Sequence, residues 1–191
     1  MIVSIYSTKG GVGKTSLANS LSRDMGMKYI TNDLSVVVGK YNKASFHSKN
    51  ILLKPNTLYD FGGFKSVEAL KIAKQSDIVL IPIINDANAV MKALIALKEL
   101  KEHGNVYIIA TMIDSKKDFS EIKQVINHHF PKREVLYFRR TKLLKNAMDS
   151  NQGVLTFLKN NKMAHVYKNS VKDYEKIFLI LKNYYLEHYM K

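Results

Sequence analysis

The chain alternates between two hydrophobic periods. Ile2-Val3-Ser4-Ile5-Tyr6 is a short β-rich run; a glycine-rich loop follows, and then Leu17, Ala18 and Leu21 recur at helical spacing. The pattern predicts a strand over 2–6, a helix over 16–25 that Gly26 is placed to end, and a second strand over 28–32. Residues 57–60 form another short run, just before Gly62-Gly63, and a helix is expected over 66–74. The apolar run over 78–84 is continuous, with Pro82 inside it, as in a strand buried on both faces. A helix over 87–102 closed by Gly104, a strand over 106–111, a helix over 119–129 and a strand over 134–138 continue the alternation. From 142 onward the chain reads as helix, with a long amphipathic stretch over 171–188.

Strands alternating with helices imply an α/β fold, a mainly parallel sheet flanked by helices on both faces. The 191 residues fit a single domain whose last part, from about residue 140, is helical and basic. The segment 38–55 is polar and basic without a clear period, and reads as a loop or a poorly formed excursion.

Composition narrows the chemistry. There is no cysteine, which excludes disulfides, Cys-ligated zinc, iron–sulfur clusters and thiol nucleophiles. The longest apolar run is far below the ~20 residues that span a bilayer, so a soluble, cytoplasmic protein is expected. The formal net charge of +14 is the outlier. It points to a polyanionic partner, or else reflects a lysine-rich composition.

Ser7-Thr8-Lys9-Gly10-Gly11-Val12-Gly13-Lys14-Thr15-Ser16 lies between the first strand and the first helix. Glycines let backbone N–H groups wrap phosphate oxygens, and the helix N-terminus adds a partial positive charge. Gly10, Gly11, Val12, Gly13, Lys14, Thr15 and Ser16 are therefore candidate phosphate-binding residues. Lys14 can reach the β- and γ-phosphates and the Thr15 hydroxyl can bind Mg²⁺. Thr8 stands where the general GxxxxGK[ST] pattern begins with glycine.

The stretch from Lys9 to Thr15 resembles the deviant Walker-A loop, KGGxGK[ST], of the ParA/MinD family of P-loop ATPases. The resemblance implies ATP and Mg²⁺ as ligands and a slow, partner-stimulated hydrolysis. It also implies an ATP-dependent homodimer in which the additional lysine, matched by Lys9, contacts the partner's phosphates. Asp60 followed by Phe61-Gly62-Gly63 looks like the family's Walker-B aspartate, which holds Mg²⁺, and its glycine switch, in which Gly62 and Gly63 sense the γ-phosphate. Residues 76–82 are similar to the family's strand ending in proline, and 138–147 to the ParA segment that starts a basic helix. Together these matches span roughly residues 1–155.

Two positions depart from the family. Its Asp-x-Asp-Pro pattern becomes Asn32-Asp33-Leu34-Ser35, with one carboxylate, and Asp33 is assigned to positioning the attacking water. A missing carboxylate predicts slow hydrolysis. Thr111 stands where an asparagine often serves the adenine.

Residues 132–176 hold 11 basic and 4 acidic residues. Arg139, Arg140, Lys142 and Lys145 are the candidate DNA contacts, with Lys159, Lys162, Lys168 and Lys172 following; a solvated lysine face is the bland alternative. Such a patch suits non-specific double-stranded DNA, since no base-reading module is evident. The resemblance implies a small ParA-type partition ATPase, nucleoid-associated when ATP-bound, acting on a plasmid or chromosome through a ParB-like centromere-binding adaptor. A MinD-like membrane-associated positioning ATPase and a P-loop small-molecule kinase or ligase are the rival readings. Tyr174, Ile177, Phe178, Leu181 and Tyr185 form an apolar stripe that favours core packing of the last helix over membrane binding.

Overall fold

Short runs of β-branched and aromatic residues, each followed by an amphipathic segment, pair here into one all-parallel sheet. The structure, a computed structural model, describes residues 1–32, 41–46, 51–61 and 67–190. The strands are β1 (Ile2–Ile5), β2 (Lys28–Thr31), β3 (Ala44–Phe46), β4 (Thr57–Asp60), β5 (Ile78–Ile83), β6 (Val106–Ile113) and β7 (Glu134–Arg139), in the spatial order β3-β2-β4-β1-β5-β6-β7. The helices among the described residues are α1 (Lys14–Asp24), α2 (Val67–Gln75), α3 (Ala87–Glu99), α4 (Lys116–His129), α5 (Leu143–Asp149), α6 (Val154–Asn161) and α7 (Lys168–Tyr189).

Two cores sandwich the sheet, as expected for a sheet covered on both faces. One joins Leu17 and Leu21 of α1, Leu143 of α5, Phe157 of α6, and Tyr174, Ile177 and Leu181 of α7. The other joins Ile72 of α2, Leu97 of α3, and Ile122 and Ile126 of α4. The apolar stripe of α7 thus packs inward, with Phe178 and Tyr185 half-buried against the first core. Asp77, just before β5, ties the far end of α7 down by accepting from the Tyr189 hydroxyl (2.9 Å) and also accepts the Ile2 N–H (2.5 Å). Among the described residues no helix is long and apolar enough to cross a membrane.

Pro82 sits in a central strand without breaking it. Tyr6 N–H donates to the Leu80 carbonyl, so Leu80 and Pro82, two residues on, both face β1. The β1 ladder ends at the pair Ile5–Leu80, and the missing N–H of proline therefore costs no ladder bond.

One expectation is corrected. The segment 38–55, read as a loop or excursion, contributes the edge strand β3, parallel to β2 through the pairs Tyr29–Ala44, Ile30–Ser45 and Thr31–Phe46. A three-residue strand gives too short a window for a period of two to register, and all three residues are half-buried. Its approach is held by Tyr41, whose hydroxyl donates to the Met27 carbonyl (2.7 Å) and whose ring lies under the Arg23 guanidinium. Helix α4 also starts earlier than expected, because Ser115 and Asp118 form a reciprocal capping box.

Asp24, at the end of α1, joins three helices. Its carboxylate accepts the Leu155 N–H at the start of α6 (3.1 Å) and the buried Tyr174 hydroxyl of α7 (2.7 Å). Gly153 leaves the room this needs, since a Cβ there would collide with the Asp24 carboxylate. Gly153→Ala is therefore expected to cost about 1–3 kcal/mol in chemical denaturation, and a variant as stable as the parent would remove this role for the glycine.

Candidate functional site

The seven strands among the described residues all point the same way, so their C-terminal ends and the helices that follow gather along one edge of the sheet, where α/β proteins bind ligands. The glycine-rich loop leaves β1 at this edge. Gly11 (φ 74°) and Gly13 (φ 81°, the N-cap of α1) adopt the left-handed conformation that favours glycine. A Cβ on Gly10 or Gly11 would meet nothing within 4 Å, so the loop opens onto free space above its amides.

Three lysines serve the loop. Lys14 is only 6% exposed, and its ammonium group donates to the Lys9 carbonyl across the loop (2.6 Å). Lys92 of α3 donates to the Thr8 carbonyl (3.3 Å). Lys9 turns its own ammonium toward Asp86, 3.8 Å away, while that carboxylate caps α3 by accepting the Ala89 N–H. The loop is also braced from behind. The buried Thr111 hydroxyl lies 2.9 Å from the Val12 carbonyl and 3.0 Å from the Ile83 carbonyl, bridging β6, the loop and the end of β5.

Thr15 and Ser16 are half-buried at the start of α1, and the Ser16 hydroxyl leans on the Gly13 carbonyl (3.4 Å). Asp60 ends β4 and is completely buried, in register with Ile5, the last residue of β1. One of its carboxylate oxygens accepts the Tyr29 hydroxyl (2.8 Å). The candidate metal donors Thr15 and Asp60 are a hydroxyl and a carboxylate, hard oxygen ligands that fit Mg²⁺ and not a soft metal. Asp33, Gly62 and Gly63 lie outside the described residues.

Beside the loop is a cleft of about 230 Å³, lined among others by Gly13, Ser16, Thr111, Met112, Phe138 and Thr141. Arg139, Lys142 and Lys145 line it too. Both candidate DNA-contacting arginines are engaged within the chain. Arg139 holds Asp173 of α7 (2.6 Å), whose carboxylate is nearly buried and raises the guanidinium pKa by hydrogen bonding. Arg140 holds Asp114 (2.7 Å), keeping that carboxyl below its usual range, chiefly by hydrogen bonding. Lys142 and Lys145 are exposed at the start of α5.

Sequence reasoning missed Asp86, Lys92 and the bracing role of Thr111. Asn85-Asp86 before a helical run is a cap signal and could have placed Asp86. Nothing local distinguishes Lys92 from any other surface lysine; only the layering of α3 over β1 and β5 brings it to Thr8.

No family model matches the chain, and no curated protein matches it by sequence. Solved structures match it through the fold. An ATP complex of a McdA variant from Cyanothece superposes with a TM-score of 0.67 at 12% identity, covering 95% of this chain and 96% of that one. The septum site-determining protein MinD from Pyrococcus horikoshii, complexed with Mg-ADP, gives 0.65 at 15% identity over 92% and 95%. A ParA family ATPase from Chlorobium tepidum gives 0.60 at 14% identity over 91% and 96%. The fold is that of the ParA/MinD P-loop ATPases.

Thr111→Val keeps the shape of the brace and removes its hydroxyl. Losing a buried hydrogen bond to two carbonyls is expected to cost about 1–3 kcal/mol. Denaturation of the variant checks this; unchanged stability would mean that the loop is held by its glycines and lysines alone.

Proposed function

We propose that the chain is an ATPase that closes into an ATP-sandwich dimer, binds DNA non-specifically in that state and thereby partitions a plasmid or chromosomal cargo. One observation carries the reading: Lys9 and Lys14 serve the same glycine cradle, yet only Lys14 is buried in it. Lys14 already places its charge over the loop, where phosphate oxygens can take the place of the Lys9 carbonyl as an acceptor. Lys9 is held by a loose, part-exposed pair of the kind worth about 0–1 kcal/mol. It can leave Asp86 at small cost, as contact with a partner's phosphates requires.

In this reading Gly10, Gly11, Val12 and Gly13 direct amides at the β-phosphate, Thr15 and Asp60 hold Mg²⁺, and Ser16 faces the nucleoside side. Mg²⁺, when bound, neutralises charge between the β- and γ-phosphates. Asp33 orients the attacking water, and Gly62 and Gly63 sense the γ-phosphate. Hydrolysis, stimulated by a ParB-like adaptor, returns the dimer to monomers that hold DNA weakly, because two basic patches bind together only in the dimer.

The DNA-facing charge is best sought on lysines. Lys168, Lys172 and Lys176 repeat every four residues on α7, which aligns them on one face, and all three are exposed. Lys142, which caps α5, and Lys145 within it add exposed positive charge, while the internal partners of Arg139 and Arg140 argue for structural work by the arginines. The docking of the inner face of α7 on the core supports DNA over membrane as the partner.

Lys14→Ala is expected to abolish ATP binding in calorimetry, and undiminished affinity would refute the site. Lys9→Ala should bind ATP but stay monomeric in light scattering, where the parent dimerises; an ATP-dependent dimer of the variant would remove the trans role. Changing Lys168, Lys172 and Lys176 to Gln should flatten the salt slope of ATP-dependent DNA binding by about 0.9 for each phosphate that these lysines neutralise. A slope like the parent's would place the DNA surface elsewhere, and pelleting with anionic vesicles without DNA retention would favour membrane positioning.

A further inference from the structure

Asp60 does not stand alone at the end of β4. Parallel pairing sets Asp60 opposite Thr31 and Leu58 opposite Tyr29, and side chains that are paired or two residues apart share one face of the sheet. Val3 and Ile5 of β1, paired with Leu58 and Asp60, lie on that face too. It is the face that α1 covers, because Val3, Ile5, Tyr29 and Leu58 belong to the same core as Leu17, Ala18 and Leu21. The Asp60 carboxylate thus lies on the side of the sheet from which α1 brings Thr15.

Tyr29 reaches this carboxylate from two residues back along the neighbouring strand. Two residues of strand advance about 6.6 Å. The tyrosine side chain is long enough to span that distance, and its hydroxyl donates to Asp60 Oδ2 at 2.8 Å. Both residues are completely buried, so water does not compete for the bond. The ring is packed in the core, on a strand paired on both sides, with β3 and with β4. A hydrogen bond to a carboxylate from a donor held in this way fixes the plane of the acceptor.

The consequence concerns which cation the carboxylate suits. Mg²⁺ demands close to octahedral geometry, whereas Ca²⁺ takes more oxygen ligands in flexible arrangements and accepts carboxylates through both oxygens. Two-oxygen chelation by Asp60 needs Oδ2, which Tyr29 already engages. The Thr15 hydroxyl is a one-oxygen donor as well. A donor set with its carboxylate plane fixed and one of its oxygens committed meets the demand of Mg²⁺ and opposes that of Ca²⁺.

We infer that Tyr29 is a positioning residue that acts through Asp60 and makes the site selective for Mg²⁺ over Ca²⁺. This rests on the reading above, in which Thr15 and Asp60 hold Mg²⁺ beside the triphosphate, and adds what decides which cation they accept.

The test is calorimetry of the full chain with ATP in EDTA, in Mg²⁺ and in Ca²⁺, read as the gain in affinity that each ion gives over EDTA. The parent should gain at least about ten-fold more from Mg²⁺ than from Ca²⁺. Tyr29→Phe removes the hydroxyl and keeps the ring. Its gain from Mg²⁺ should fall by about ten-fold or more. Its gain from Ca²⁺ and its affinity in EDTA should stay within about three-fold of the parent. An unaltered gain from Mg²⁺ overturns the inference, and so do equal losses for the two ions or a matching loss in EDTA, which would show a hydroxyl that only supports the fold. An equal gain from both ions in the parent overturns it without any variant, however well Tyr29→Phe folds. A parent that binds ATP in EDTA and gains from neither ion removes the metal role of Thr15 and Asp60 as well. If the parent binds ATP under none of the three conditions, the phosphate-loop reading falls with it.

Discussion

A lysine ammonium group almost withdrawn from solvent is the constraint around which this molecule is arranged. Removing a cation from water costs several kcal/mol unless oxygen ligands replace its hydration. Lys14 meets that demand with the Lys9 carbonyl, a hydrogen bond that exists only because Gly11 and Gly13 turn the loop back over the start of α1. That loop in turn needs support from below. Thr111 reaches it from β6 and Lys92 from α3, so the two strands and one helix beyond β1 in the sheet order all help to fix where the charge stands. A charge already held in place loses little on meeting an anion, which is the physical content of preorganisation.

The surface charge divides into two populations, arginines paired with carboxylates and exposed lysines. The two arginines at the end of β7 are neutralised by Asp173 and Asp114, and Arg139 fastens α7 to the last strand of the sheet. The lysines of α5 and α7 are exposed. Lysines of this kind suit a phosphate backbone, where position along the duplex carries no information and affinity follows ionic strength. The Arg139–Asp173 pair also links the cleft beside the loop to the helix that carries the lysine row.

Much of the fold was legible in the chain because its signals are local. The buried strand β5, the loop between β1 and α1, and the apolar stripe of α7 each announce themselves within a few residues. β3 did not, since three half-buried residues at a sheet edge carry no period. The residues missed at the site share another cause. Asp86, Lys92 and Thr111 act on the loop from far along the chain, and their importance comes from layering that no short motif encodes. Thr111 is instructive: read as the place of an absent amide, it proves to be spent on the backbone. The partners of the two arginines were not legible either, because a basic stretch in the chain gives no notice of the carboxylates that the fold brings to it.

Hydrogen–deuterium exchange with and without a non-hydrolysable ATP analogue is the most direct measurement of the central claim, that the loop over residues 9–15 clasps a triphosphate. Slowed exchange of the amides of this loop and of the end of β6, present in the parent and abolished when Lys14 is replaced, is the predicted result. Protection centred elsewhere, or unchanged exchange at the loop despite bound nucleotide, would contradict it.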